Sequence, residues 1–368
     1  MKLLIAGGGT GGHVFPALAI AQEWKSRGAE REVVLVGTQR GIEMKLVPQA
    51  GLPLETLRVA GLKGKAGMTL LKNLAMLGSG LSDAFGVIKK HQPGVAFGVG
   101  GYAAGPMLLA TWLRGIPNVI FEPNAEPGFT NKVLARLAGR IATGYEVSAR
   151  TWGAKAVVTG CPVRQEFFQI EPRPAGKPYH LLVTGGSQGA QPVNRVFIAA
   201  AGLLSTRKEE LRVVHQTGER DYNEVKAAYE RCNFSVEVVP FLGNMAERCA
   251  WADLIVCRAG AITAAEVAAA GRGAIFIPFG RATDSHQLRN AQEMTDAGAG
   301  RVITEPELTA ERLTREIFSL LDQPREIARM ALKARSLAYP DAARDIVNLI
   351  EETARRKPRG SVPASRKE

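Results

Sequence analysis

At 368 residues the chain is too long for one ordinary core, and two domains is the natural division. Hydrophobic residues at 46% and charged residues at 22% fit a soluble globular protein; no stretch reaches the roughly 20 apolar residues of a membrane span, and the N-terminus lacks a signal-peptide layout. Four scattered cysteines (Cys161, Cys232, Cys249, Cys257) exclude a disulfide framework or zinc-site spacing, so the reading is cytosolic; the net charge of +12 asks for an anionic substrate or membrane surface, nucleic acid lacking any accompanying motif.

The first thirteen residues organise the rest. Leu3 to Ala6 read as a buried strand and Pro16 to Trp24 as the following helix, joined by Gly7-Gly-Gly-Thr-Gly-Gly-His13. Glycine lets backbone N–H groups approach a ligand, and the helix N-terminus behind favours anions. The expectation is a phosphate against Gly11 and Gly12, with His13 beside it. Gly7, Gly9 and Gly12 satisfy G-x-G-x-x-G, but the second strand, Val33–Val36, ends in Gly37-Thr-Gln-Arg40 without the ribose-binding acid of a dinucleotide site. A P-loop would place Lys and Ser/Thr where His13 and Val14 stand.

Further strand-like runs follow at Val95–Gly98, Asn118–Phe121, Arg140–Thr143 and Ala156–Thr159. The Pro/Gly-rich run 172–178 is the best linker by composition. Beyond it come His180–Thr184, Leu211–Gln216, Val236–Pro240, Leu254–Cys257, Ala274–Pro278 and Arg301–Ile303. Strands alternating with helical segments imply an α/β protein with parallel sheets. The second half opens as the first does, with Leu181-Leu-Val-Thr-Gly-Gly-Ser-Gln-Gly-Ala190. Two Rossmann-like halves are expected to face each other, their strand C-terminal ends lining a cleft.

Two further loops carry chemistry. Gly98–Pro106 is again rich in glycine, and Cys257-Arg-Ala-Gly-Ala-Ile-Thr-Ala-Ala-Glu266 follows a strand. Gly260 to Thr263 would open a helix whose free N–H groups take a diphosphate, with Glu266 one turn further in, toward ribose hydroxyls.

These four elements, in this order and over nearly the whole chain, resemble the MurG family, the GT-B glycosyltransferases that add N-acetylglucosamine to lipid I in peptidoglycan assembly. The resemblance implies two Rossmann-like domains with parallel sheets facing across a cleft. Residues 1–162 would bind acceptor and membrane and 163–340 the UDP-GlcNAc donor; 341–357 would be a terminal helix packing back on the first domain and 358–368 a disordered tail. It also implies roles. Thr10, Gly11 and Gly12 match the loop that contacts a donor or acceptor diphosphate, and Asn124 an Asn that meets the donor sugar. Arg164 and Ser187 match residues around the donor diphosphate, and Leu242 the hydrophobic position that meets uracil. Ala261, Ile262, Thr263, Ala264 and Ala265 match the helix start, Glu266 the ribose ligand and Gln287 a sugar contact. The chain departs from the family at Phe121-Glu-Pro-Asn124, where His-Glu-Gln-Asn is usual, at Ala265, commonly Ser, and in the loop Arg281–His286.

The implied reaction is attack of a muramoyl C4 hydroxyl on the anomeric carbon of UDP-GlcNAc with inversion. No Asp-x-Asp is present, so neither metal nor cofactor is expected, and helix N-termini with Arg164 would stabilise the departing diphosphate. His13 is the first candidate base, against a role as hydrogen-bond donor or acceptor-orienting group. Glu122 is the alternative base, and Tyr102 a candidate for positioning the acceptor. Expected partners are UDP-GlcNAc, lipid I and the anionic cytoplasmic face of the inner membrane, with no nucleic acid. For the membrane the sequence offers Leu70, Leu74, Leu77, Leu81 and Phe85 at helical spacing, flanked by Lys63, Lys65, Lys72, Lys89 and Lys90, with Trp112-Leu-Arg114 as an extension. Most of that stripe is expected to face the core. The competing readings are a UDP-GlcNAc 2-epimerase of the same architecture, an NAD oxidoreductase, disfavoured by the missing acid, and a non-catalytic carbohydrate- or lipid-binding protein.

Overall fold

The computed structural model describes residues 1–59, 68–232, 234–280 and 286–356, of which 68–77 as backbone alone. The chain forms two compact units, one of Met1–Pro123, Pro127–Pro162 and the segment from Asp341 onward, the other of Asn124–Glu126 and Val163–Pro340.

The first unit is built on β1 (Lys2–Gly7), β2 (Glu32–Thr38), β3 (Leu54–Leu57), β4 (Val95–Gly100), β5 (Asn118–Glu122), β6 (Arg140–Thr143) and β7 (Ala156–Val158). They form one sheet in the order β3-β2-β1-β4-β5-β6-β7, parallel throughout. Helices cover both faces, which is why Leu3, Leu4, Ile5 and Ala6 are all buried and the strand reads as an unbroken apolar run. The terminal helix Ala342–Arg355 belongs to this unit and buries Ile346, Val347 and Ile350. Arg27 donates to Asn348 and the Arg344 carbonyl, and Arg31 pairs with Glu351 at 2.9 Å.

The second unit repeats the plan with β8 (Tyr179–Thr184), β9 (Leu211–Gln216), β10 (Val236–Val239), β11 (Leu254–Cys257), β12 (Gly273–Phe276) and β13 (Gly300–Val302). Their order is β10-β9-β8-β11-β12-β13, again parallel. In each unit the strand order reverses beside the first strand, between β1 and β4 and between β8 and β11. That switch point, at the strand C-terminal ends, is where open α/β sheets bind ligands.

The structure departs from the sequence reading in three places. The Pro/Gly-rich run 172–178, the best linker by composition, lies inside the second unit, which begins at Val163. That run is tied down by Arg173, which donates to the Trp251 carbonyl and pairs with Asp253, so its composition marks a structured lead into β8 and not a linker. The edge strand β3 and the helix Glu43–Gln49 were absent from the reading; one has only four residues and the other contains Pro48. Finally, the first helix starts at Gly11, within the glycine loop.

Of the proposed membrane stripe, Leu81 and Phe85 pack against the core of the first unit. Leu70, Leu74, Leu77, Lys63, Lys65 and Lys72 lie outside the described residues or side chains, as do most of the loop 281–286 and the tail 358–368. Among the described residues no helix is long and apolar enough to cross a membrane.

Candidate active site

The first unit presents the helix Gly11–Ser26 at its switch point. Thr10, extended at φ −134° and ψ 162°, is its N-cap, and the Thr10 carbonyl accepts from the N–H groups of His13 and Val14. The Thr10 side chain does not cap the helix and the first turn carries no acid, so this helix start keeps its attraction for an anion. Gly9 reaches the turn with φ at +96°, a left-handed conformation natural to glycine.

His13 is half-buried on the first turn. Its Nδ1 lies 3.1 Å from the Gly8 carbonyl and 3.4 Å from the Thr10 hydroxyl. A carbonyl only accepts, so Nδ1 carries the proton and Nε2 keeps the lone pair of the neutral ring. Burial lowers the His13 pKa from 6.5 and outweighs the opposing Gly8 carbonyl and the charges of Glu122 and Glu43. The ring is therefore neutral near pH 7. The loop after β4 runs against it: a Cβ at Gly100 would stand 3.0 Å from Nε2, and one at Gly101 would strike the Gly8 carbonyl.

Glu122, at the end of β5, is buried, and its Oε2 accepts from Gly128 N–H at 2.8 Å and from Asn131 Nδ2 at 2.9 Å. Tyr102 is 57% exposed beside the glycine loop that follows β4. A residue the sequence reading passed over, Glu43, is only 1% exposed beneath the first loop.

In the second unit the loop after β8 is braced by neutral groups. Thr184 Oγ1 donates to Gln216 Oε1 at 2.8 Å, Gln216 Nε2 donates to the Gly186 carbonyl, and Gly186 N–H returns to Thr184 Oγ1. Ser187 is exposed at the tip. On the other side of the switch point β11 leads through Gly260, the N-cap, into the helix Ala261–Ala270. No side chain caps this helix and its first turn carries no acid. Ala261, Ile262 and Ala264 are buried, Thr263 and Ala265 partly so, which leaves backbone N–H groups as the polar feature of the helix start.

Glu266 is half-buried one turn in, with no hydrogen-bond partner among the described residues. Burial pushes its carboxyl up to about 7; Arg164 opposes that rise and Glu166 adds to it. Arg164 pairs with Glu166 at 2.9 Å and lies over the Phe167 ring. Leu242 packs into the core at 6% exposure, while neighbouring Phe241 is the exposed side chain.

The second unit also holds Asn124 and Gln287. Gln287 Oε1 accepts from Phe279 N–H at 3.0 Å. Asn124 Oδ1 accepts from Asn290 Nδ2 at 3.2 Å; the same nitrogen reaches the Ala259 carbonyl at 3.1 Å, and Asn290 Oδ1 accepts from Ala125 N–H. Fully buried Asn290 thus fixes Asn124 against the turn that opens the helix at Ala261. Its three-residue spacing from Gln287, one helical face, was the available signal. Arg258 likewise holds the strand end after β12 through the carbonyls of Ile277 and Pro278 and pairs with Glu305 at 2.6 Å.

Residues 3–143 match the glycosyltransferase family 28 N-terminal domain and residues 180–346 its C-terminal domain. A relative from Geobacter sulfurreducens, named UDP-N-acetylglucosamine–N-acetylmuramyl-(pentapeptide) pyrophosphoryl-undecaprenol N-acetylglucosamine transferase, is 44% identical over 97% of this chain and all of its own length. The Myxococcus xanthus protein of that name is 43% identical over 95% of this chain and 92% of its own. The crystal structure of Acinetobacter baumannii MurG superposes with a TM-score of 0.76 at 33% identity, covering 95% of this chain and 99% of that one.

The chain belongs to the MurG enzymes of glycosyltransferase family 28. Its fold is therefore GT-B, and family 28 membership makes it a hexosyltransferase.

Proposed function

We propose that this enzyme transfers N-acetylglucosamine from UDP-GlcNAc to the C4 hydroxyl of N-acetylmuramic acid in a pentapeptide acceptor carried on undecaprenyl pyrophosphate. The observation that carries this reading is full-length identity of 44% to a transferase of that name, together with retention of both uncapped helix starts. The acceptor oxygen attacks C1 of the sugar, the bond from C1 to the pyrophosphate oxygen breaks, and configuration inverts from α to β. The hydroxyl proton passes to His13 Nε2, whose lone pair is available because Nδ1–H is engaged by Gly8.

The departing pyrophosphate is received by N–H groups of Ala261 to Thr263, the Ser187 loop and Arg164, donors that need no reorganisation as charge develops. Glu266 accepts from the ribose hydroxyls, and Phe241 with the Leu242 backbone flanks uracil. Asn124, positioned by Asn290, and Gln287 hold the sugar. Glu122, its Oε2 already taking two donors, supports the imidazolium electrostatically, which leaves His13 as the base. Thr10, Gly11 and Gly12 hold the acceptor pyrophosphate, with Tyr102 beside it.

We further propose docking on the anionic cytoplasmic leaflet through the first unit. Trp112, Leu113 and Val133 are exposed, and Phe129 is 82% exposed. They lie on two helices in mutual contact, Ala104–Leu113 and Phe129–Leu134, flanked by Arg114, Lys132 and Arg136. Exposed apolar side chains amid cations suit an anionic lipid interface.

The test of the reaction is incubation of the protein with radiolabelled UDP-GlcNAc and a short-chain lipid I analogue. The expected result is label in the lipid product with one UDP released per transfer. Release of UDP with formation of N-acetylmannosamine in the absence of acceptor would establish an epimerase instead.

A further inference from the structure

Beneath the first glycine loop, the Glu43 carboxylate is shielded from solvent and held entirely by neutral donors. Gly9 N–H reaches Oε2 at 2.8 Å, and Thr38 N–H and Oγ1 both reach Oε1 at 2.8 Å. Burial opposes ionisation, but these hydrogen bonds together outweigh it and hold the carboxyl below its ordinary value. Among the described residues no Lys or Arg pairs with it. Three glycines make the room: a Cβ at Gly8 or Gly41 would collide with the carboxylate, and one at Gly37 would lie 2.6 Å from its Cγ.

The Gly9 N–H that meets Glu43 and the Gly8 carbonyl that meets His13 Nδ1 belong to one planar peptide group. Its two ends point in opposite directions, so fixing the N–H fixes the carbonyl. A carboxylate on the N–H end also polarises the amide and makes the carbonyl a better acceptor.

We propose that Glu43 is a positioning residue for His13, acting through the Gly8–Gly9 peptide as an intervening link between carboxylate and imidazole. The chain Glu43 Oε2, Gly9 N–H, Gly8 C=O, His13 Nδ1–H keeps the proton on Nδ1 and the lone pair on Nε2. It supplies the orientation and the electrostatic support of a directly bonded acid, with the carboxylate kept one peptide away from the acceptor. Its catalytic consequence rests on His13 being the base. The charged groups facing the ring are Glu43 from the helix Glu43–Gln49 and Glu122 from the end of β5.

The test is nitrogen NMR of ¹⁵N-histidine-labelled full-length enzyme, with His13 assigned by its loss in H13Q, alongside turnover. In the wild type His13 shows the Nδ1–H tautomer. In E43Q the Nε2–H form grows, the imidazole pKa falls as the anion is lost, and kcat drops about 10-fold with donor KM within about 2-fold. T38V, which loosens Glu43 by one hydrogen bond and keeps its charge, retains the wild-type tautomer. Should E43Q fail to fold, E43D, which keeps the charge but draws the carboxylate back from Gly9, carries the same expectation for the tautomer and kcat. An unchanged tautomer and unchanged kcat in the folded variant would overturn the proposal. Full turnover in H13A would instead remove the base assignment, while the tautomer change would still show whether Glu43 governs the ring.

Discussion

The two units share a strand order and a glycine loop after the first strand, yet fill the space beneath that loop differently. In the first, a buried carboxylate, Glu43, takes the Gly9 N–H. In the second, the neutral Thr184 and Gln216 brace the loop, and an uncapped helix start lies across the switch point at Ala261–Ala270. The consequence appears in the titratable groups. His13 is pushed below its ordinary value, as suits the neutral base we propose, whereas Glu266 is pushed up to about 7 beside Arg164. Topology places a glycine loop at each switch point, and a few polar side chains under and beside the loops set how the groups there titrate.

The comparison is most easily broken at the glycines. Gly9 and Gly189 both have positive φ, +96° and +73°, but a Cβ at Gly9 meets nothing within 4 Å, whereas one at Gly189 would collide with the Thr217 carbonyl. Thermal melts should therefore show Gly189→Ala losing more than about 4 kcal/mol and Gly9→Ala about 1–2 kcal/mol. Equal losses would mean that the second loop is not braced as described.

Asn290→Ala comes next. It strands the Ala125 N–H and the Ala259 carbonyl, and should cost about 2–3 kcal/mol and raise donor KM by releasing Asn124. A stability loss with donor KM unchanged would separate Asn290 from donor binding.

Glu266 sharpens the contrast through pH. A carboxyl raised from 4.5 to about 7 in the folded state contributes stability that is present below pH 4.5 and lost as pH rises through about 7. Glu266→Gln removes that loss. Its melting point should match the wild type near pH 4 and exceed it above pH 7, by about 1–3 kcal/mol in stability. Identical melting at pH 8 would remove the burial argument.

The smallest effect is expected at the surface, where Trp112→Ala should weaken sedimentation with phosphatidylglycerol vesicles by about 3–10-fold and leave neutral vesicles little affected. Unchanged partition would move the membrane contact elsewhere.

Much of this was legible in the sequence because the central strands are apolar on both faces. Leu211–Gln216 and Leu254–Cys257 emerged with their observed bounds. β3 did not, because Leu54-Glu-Thr-Leu57 is a partly exposed edge strand following Pro53. Glu266 was readable from its place after a glycine-capped helix start, but its raised pKa depends on Arg164, Glu166 and burial that only the fold assembles. Glu43 was illegible for a deeper reason. Its partner Gly9 lies 34 residues away and offers a backbone N–H, which has no side-chain signature. Asn290 acts in the same way, on the backbone of Ala125 and Ala259.

The division of labour between the units is tested most directly by steady-state kinetics of His13→Ala and Glu266→Ala over a range of donor concentrations, with a short-chain lipid I analogue as acceptor. The account predicts that His13→Ala lowers kcat by about 100-fold or more with donor KM within a few-fold, and that Glu266→Ala raises donor KM with kcat largely kept. If His13→Ala acted on donor KM and Glu266→Ala on kcat, or if both variants lost the same parameter, the assignment of chemistry to one unit and donor binding to the other would be contradicted.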